Sequence, residues 1–487
     1  MNELKALILT IALMTAVAPA SRAAEVEGLP APGEPRTVKF LQPQEKTLAN
    51  GLRVIVVERP GLPLVSAQVL LQSGSEADPA SAPGLAEFTA TLLTQGTTTR
   101  SATQIAREVE ALGATLKAKA EWDGSVIELD TLSSQIEPAF ALLADVTQHP
   151  KFAPAEIDRL RRLTLDELRL AAEEPGTIAR LVASRAILGR GLYAHPAKGT
   201  VTSITRLQRK EIADFHTARY TAGQAMLIIG GNITADVAFA LAEKNFGTWK
   251  AAPDRPAPAL AKFEPAPKPR AILIDMPNAG QAAVAVGAPG IPRKADDYFA
   301  GGVANTVLGG GYTSRLNQEI RLKRGLSYGV RSSLEALRGG GLLTARCQTK
   351  NESAAEVVTL MRTELKRLGV ELVPADYLAT RQAMLCGDFS RELETNSGYV
   401  ERLANLALQG LPLDLLPRYL DLIREVTPDA VQAFAEKHIV PGPLSIVVAG
   451  RAKDIARPLR ELFPTLEVIP QAELDLESPT LRRGAKR

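Results

Sequence analysis

Apolar positions along the chain fall into blocks whose spacing switches between that of strands and that of helices. LRVIVVERP, from Leu52, is rich in Val and Ile and is ended by Pro60 and Gly61, so it reads as a strand. LVSAQVLLQSG reads as a second, adjacent strand after a short turn. From Gly84, GLAEFTATLLTQG places Leu85, Phe88, Leu92 and Leu93 near helical spacing, with Gly96 as its stop. A second helix, TQIAREVEALG, ends at Gly113, and the strands ATLKAKAEWD and SVIELDTLS follow. A long helix is predicted from Pro154 to Glu173, opened by the acidic Glu156 and Asp158 that a helix N-terminus favours.

The same order of elements recurs after a proline-rich stretch at 251–269, which is stiff and has no apolar face to bury. Strands AILIDMP and AAVAVGAP lead to helices YFAGGVANTVLGGG and SRLNQEIRLKRG, then to strands LSYGVRSSLEA and GLLTARCQT and further long helices. The ends of the two blocks also match. IADFHTARYT before AMLIIGGNI mirrors VQAFAEKHIV before LSIVVAGRA, with His216 and His438 in equivalent places. The economical reading is an α+β protein of two homologous halves, 45–250 and 270–466, each a mainly antiparallel sheet with helices packed on one face. Residues 24–44 read as an extended lead-in, 251–269 as the linker, and 467–487 as a polar tail, frayed from about Pro470.

Composition narrows the class. The chain has 487 residues, 45% hydrophobic and 23% charged, with a mean hydropathy of -0.01, the balance of a soluble globular protein. With 57 basic against 54 acidic residues the net charge is only +3, which gives no electrostatic case for nucleic acid. Lys5, the apolar run ALILTIALMTAVA and the small residues around Ala23 form an export signal at 1–23, too short to span a bilayer. No later segment is long and uncharged enough to span one either, so the mature chain is expected in the periplasm without a membrane anchor. Cys347 and Cys386 are the two thiols, and an oxidising compartment permits a bond between them without requiring it.

Chemistry is constrained by four histidines, His149, His195, His216 and His438, no two of which lie at the separation that helical chelation of a metal needs. No Gly-x-Ser-x-Gly elbow or Cys-His signature is present, and the glycines Gly309–Gly311 lack the Lys-Ser/Thr ending of a phosphate loop. The strings NTVLGGGYTSRLNQEIRLKRGLSYGV and GLAEF, set in the duplicated architecture over residues 45–465, resemble the pitrilysin or insulinase family of zinc peptidases. They are closest to the two-repeat bacterial and mitochondrial-processing type, and the resemblance implies the duplicated processing-peptidase fold. Catalytic members carry His-x-x-Glu-His on the helix after GLA, two imidazoles one turn apart for zinc and a glutamate for the metal-bound water. Here those positions hold Glu87, Ala90 and Thr91. Glu167 stands where the family has its distal zinc carboxylate, and His195 where it has a His-Pro loop. One carboxylate does not hold a catalytic zinc.

The resemblance further implies that Arg321 and, seven residues on, Tyr328 reach substrate: a guanidinium for a peptide carbonyl and a phenol for the oxygen that becomes negative on attack. The expectation is a non-zinc, substrate-binding subunit of a heterodimeric zinc metalloendopeptidase. It would hold no cofactor of its own, take extended peptides, and pair with a homologous His-x-x-Glu-His subunit that carries the zinc. The alternative is a catalytically silent peptide-binding or assembly protein of the same fold, including a homodimer. His216 and His438 are expected to cap helices.

Overall fold

The structure, a computed structural model, describes residues 40–251, 263–440, 442 and 444–483. The expected export signal, most of the lead-in and residues 252–262 of the linker lie outside the described residues. The first sheet contains β1 (Gln44–Thr47), β2 (Arg53–Glu58), β3 (Leu64–Leu71), β4 (Thr115–Ala120), β5 (Ser125–Leu132) and β6 (Ala225–Gly231), in the order β1-β2-β6-β3-β5-β4. β2 and β3, though consecutive, are not hydrogen-bonded to each other. β6, parallel to β2 and antiparallel to β3, lies between them. Every residue of β6 is buried, and the centre of the sheet is where so apolar a strand loses most contact with water.

The second sheet repeats this plan. β7 (Ala271–Asp275), β8 (Ala282–Gly290), β9 (Val330–Ala336), β10 (Gly341–Thr349), β11 (Ser445–Gly450) and β12 (Glu467–Pro470) run in the order β12-β7-β11-β8-β10-β9. Strands β7, β11, β8, β10 and β9 take the places of β2, β6, β3, β5 and β4. Only the outermost strand differs: β1 precedes its half and pairs antiparallel, whereas β12 follows its half and pairs parallel. Antiparallel pairs predominate in both sheets, as the strand patterns predict.

Each half packs its own helices on one face of its sheet. Helix α1 (Leu85–Leu92) lies over β4 and β5, with Phe88 and Leu92 in one buried cluster with Val69, Leu71, Ile127 and Leu129, and the second half has an equivalent cluster under α4 (Tyr298–Gly309). Helix α2 (Pro154–Ala172) leads directly into α3 (Pro175–Leu188), which leaves its own half. Ile178, Val182 and Ile187 of α3 cover Ile272, Ile274, Ala285 and Val447 on the far face of the second sheet. The repeat-equivalent α5 (Asn396–Leu408) covers β3 and β6 in return, and Val400 approaches so closely that a Cβ on Gly230 would lie 2.8 Å from its Cγ2. This reciprocal exchange buries both faces, which is why the central strands are near-continuous apolar runs rather than alternating ones. At roughly 2 kcal/mol for each large aliphatic side chain, pulling the halves apart would cost on the order of 10 kcal/mol.

Three local expectations are corrected. The polar tail at 467–487 is not frayed over its described part: β12 joins the second sheet, Leu481 is fully buried, and Arg185 Nη2 donates to Leu476 O at 2.8 Å. Ile469 and Leu481, apolar anchors in a polar segment, account for this. The end of the linker also packs, with Ala266 N donating to Ile187 O at 2.9 Å and Phe263 lying over Gly340. The expected helix SRLNQEIRLKRG is wound as a π-helix over Asn317–Leu322, and the following strand starts only at Val330.

The repeat-equivalent histidines hold helix ends. His216 Nε2 lies 2.9 Å from Thr147 O, and His438 Nε2 lies 2.8 Å from Asp297 Oδ2, beside the start of α4. Burial pushes the His216 imidazole down to about 4. Above the ordinary value of 6.5 the ring is neutral folded and unfolded, so its contribution is flat; between 6.5 and about 4 only the unfolded chain takes the proton, and stability falls with pH. We expect a loss of roughly 3 kcal/mol across that window, much reduced in His216→Gln, with urea titrations at several pH values as the measurement. An unchanged acid slope in the variant would assign the loss elsewhere. Cys347 and Cys386 are both free, and burial pushes the Cys347 thiol up to about 12.

Candidate functional site

The turn of α1 that aligns with a zinc motif is occupied by other bonds. Glu87 Oε2 accepts from Ala120 N at 2.7 Å, and Thr91 Oγ1 donates to Glu87 O at 2.9 Å. Burial raises the Glu87 carboxyl above its usual range, which favours the protonated form over the ligating carboxylate. Ala90 offers no donor atom. Glu167 lies exposed on α2. Among the described residues no three His, Cys, Asp or Glu side chains come together in a way that could hold a metal ion. The residues present therefore do not fit zinc, and no step of a reaction is assigned to a metal on this chain.

His195 stands behind α1. Asp78, which is buried, accepts from Gly84 N at 2.7 Å and from Ala86 N at 2.8 Å, so it caps the start of the helix from outside. His195 Nε2 lies 3.4 Å from Asp78 Oδ2, and its ring meets Trp122 edge-on at 5.2 Å. The ring thus packs at that cap. His149, exposed, lies 3.5 Å from Asp145 at the end of the preceding helix.

Arg321 and Tyr328 are brought together. The Arg321 guanidinium sits 4.7 Å from the centre of the Tyr328 ring and 4.5 Å from that of Tyr312, so two aromatic faces hold it. Tyr328 is 90% exposed, with its phenol free to meet a ligand. The local chain is built for this. Gly309 lets the end of α4 touch β9, since a Cβ there would lie 2.4 Å from Ser332 N. Gly325, at φ +63°, reverses the chain between Arg321 and Tyr328. Buried Asn317 ties these pieces: its Nδ2 donates to Gly311 O at 3.0 Å and Val330 O at 2.7 Å, and its Oδ1 accepts from Val330 N at 3.0 Å. Wide π-turns of this kind are frequent at functional sites.

The pair lines a cavity of about 880 Å³ between the Gly309–Gly311 turn, the starts of β9 and α3, and the end of β10. Tyr312, Arg331, Arg346 and Lys350 also line it. These four were not singled out from sequence. Tyr312 directly follows the glycines and could have been, but the others come together only through strand register. No helix among the described residues is long and apolar enough to cross a membrane.

Comparison with known proteins agrees with this fold. Residues 53–193 match the model of the insulinase family, peptidase family M16, and residues 206–385 match that of the peptidase M16 inactive domain. An uncharacterized zinc protease of Mycobacterium bovis is 28% identical over 411 residues, covering 84% of this chain and 93% of that protein. An uncharacterized zinc protease of Mycobacterium leprae is 28% identical over 396 residues, covering 80% of this chain and 88% of its own length. Among solved structures, a peptidase M16 inactive domain from Pseudomonas fluorescens superposes with a TM-score of 0.78 at 29% identity, covering 84% of this chain and 98% of that one. A protease from Helicobacter pylori superposes with a TM-score of 0.77 at 20% identity, covering 84% of this chain and all of its own, a likeness of fold.

Proposed function

The chain belongs to the insulinase, or M16, peptidase family, and from that premise we propose that it is the substrate-binding subunit of a heterodimeric zinc metalloendopeptidase. The partner is a homologous chain that keeps His-x-x-Glu-His and carries the metal. The observation that carries this reading is the coexistence of a ready Arg321–Tyr328 pair with a helix α1 stripped of metal ligands. A scaffold alone has no need of an exposed phenol stacked on a guanidinium; a shared active site does.

In this reading a peptide enters extended and adds alongside a free sheet edge. β9 is such an edge, hydrogen-bonded on one side only, and begins two residues after Tyr328. Arg321 grips a backbone carbonyl near the scissile bond, and Tyr328 donates its O–H to the oxygen that gains charge. Water activation is left to the partner. The reading includes export to the periplasm, supported by the leader-like composition of residues 1–23.

The test is purification of this chain alone and with a His-x-x-Glu-His candidate, followed by zinc content and peptide turnover. Expected is negligible zinc and turnover from the chain alone, and activity with zinc in the pair. Stoichiometric zinc with turnover in the isolated chain would overturn the reading.

A further inference from the structure

The cavity around Arg321 and Tyr328 carries charge of one sign. Arg321, Arg331, Arg346 and Lys350 line it, and no aspartate or glutamate does. Among the described residues none of these four forms an ion pair, whereas the neighbouring Lys323 and Arg324 both pair with Glu319. Arg331 and Arg346 are direct cross-strand partners on β9 and β10. Their side chains therefore leave the same face of the sheet with Cβ atoms about 5 Å apart, where like charges repel. That face is also the one α3 covers. α3 begins over the cavity, with Gly176 and Ala179 in the lining, so its partially positive end adds to the field.

Arg346 shows the crowding. Its guanidinium is held below the ordinary arginine range by burial and then by Arg180 of α3. Glu335, two residues further along the face than Ser333, offsets part of this; burial raises its carboxyl while Arg346 and Arg180 pull it down. Four cations thus line the cavity, and no carboxylate does. Folding gains nothing from two opposed arginines, but an anionic ligand would.

We infer that this cavity is a subsite for acidic side chains, with Arg331 and Arg346 binding an aspartate or glutamate of the peptide that Arg321 and Tyr328 hold. The inference rests on the function proposed above, because it takes an extended peptide as the occupant. A volume of about 880 Å³ has room for side chains beside the backbone. Arginine forks suit carboxylates bidentately, and in a partly enclosed cleft such bonds are stronger than at an open surface.

The experiment compares a fluorescein-labelled, glutamate-rich peptide with its glutamine counterpart, by anisotropy on the chain alone and by turnover with the partner. The glutamate peptide should bind about tenfold more tightly at low salt, roughly the effect of one charge-assisted hydrogen bond, with the gap closing as salt rises. Arg331→Gln with Arg346→Gln should bring the two peptides level, and Arg331→Glu should shift preference towards a lysine-rich peptide. Thermal unfolding confirms that the variants fold, with a midpoint at or above that of the parent because a repulsion has been removed. Equal or absent binding of both peptides by folded parent chain overturns the inference. Turnover by the pair that ignores Arg321→Ala, with glutamate selectivity intact, instead overturns the proposed function and leaves the subsite standing.

Discussion

Arg321→Ala in the proposed heterodimer should lower kcat by about 10²–10³, the cost of one donor aimed at a developing negative charge, some 3–4 kcal/mol of transition-state stabilisation. Tyr328→Phe should cost less. It removes the phenolic donor but keeps the ring 4.7 Å from the guanidinium, so Arg321 stays clamped. Tyr312→Ala should act differently again: one of the two faces that hold Arg321 is lost, and the guanidinium is freed to sample unproductive positions. Steady-state kinetics with partner in excess separates these effects, since lost transition-state contacts appear in kcat and lost positioning in both parameters. Zinc content in the partner should not change in any of the three. Turnover indifferent to Arg321→Ala would leave the chain as a silent binding or assembly module.

Asp123→Ala should destabilise the fold by about 3–5 kcal/mol, the range for removing one partner from a buried charged network. Asp123 is 2% exposed and lies at the seam between the halves. Its carboxylate accepts from Tyr193 Oη at 2.6 Å on its own side, and from Arg338 N at 2.7 Å and Gln409 Nε2 at 3.2 Å across the seam. Arg338 Nη2 also donates to Asp123 O at 3.1 Å and to Glu76 Oε1 at 3.2 Å. Burial pushes Glu76 up to about 7 even beside this guanidinium, and Asp123 Oδ1 lies 3.9 Å from Arg338 Nε. Tyr193 is held at φ +69°, a conformation sustained by the bonds its hydroxyl makes to Asp123 and from Gly339 N. Asp123→Asn keeps acceptor capacity and should lose less. Denaturant midpoints measure both, and a loss under about 1 kcal/mol for the alanine variant would show that helix exchange alone joins the halves.

Local signals read well because their causes are local. Gly96 and Gly113, read as the stops of two helical patterns, both stand at positive φ. The repeat was legible too, since matching strings fold to matching topology. Loss of the zinc ligands at Glu87 and Thr91 and of the base at Ala90 needed only the order of residues, once set against the family motif. The strand neighbours were another matter: the sequence puts β3 after β2, and only closure of the sheet inserts β6 between them.

By itself, then, the order of residues determined the elements, the duplication and the missing metal ligands, while Arg321 and Tyr328 entered through the family resemblance. Tertiary structure decided what faces what. It sent α3 and α5 across to cover each other's sheets, drew 470–483 back onto the first half, and set Arg331 opposite Arg346. The physical reason is range. Capping, turn geometry and periodicity are settled within a few neighbours, whereas register and burial depend on surfaces contributed by chain hundreds of residues away, as when Asp123 meets Arg338 and Gln409.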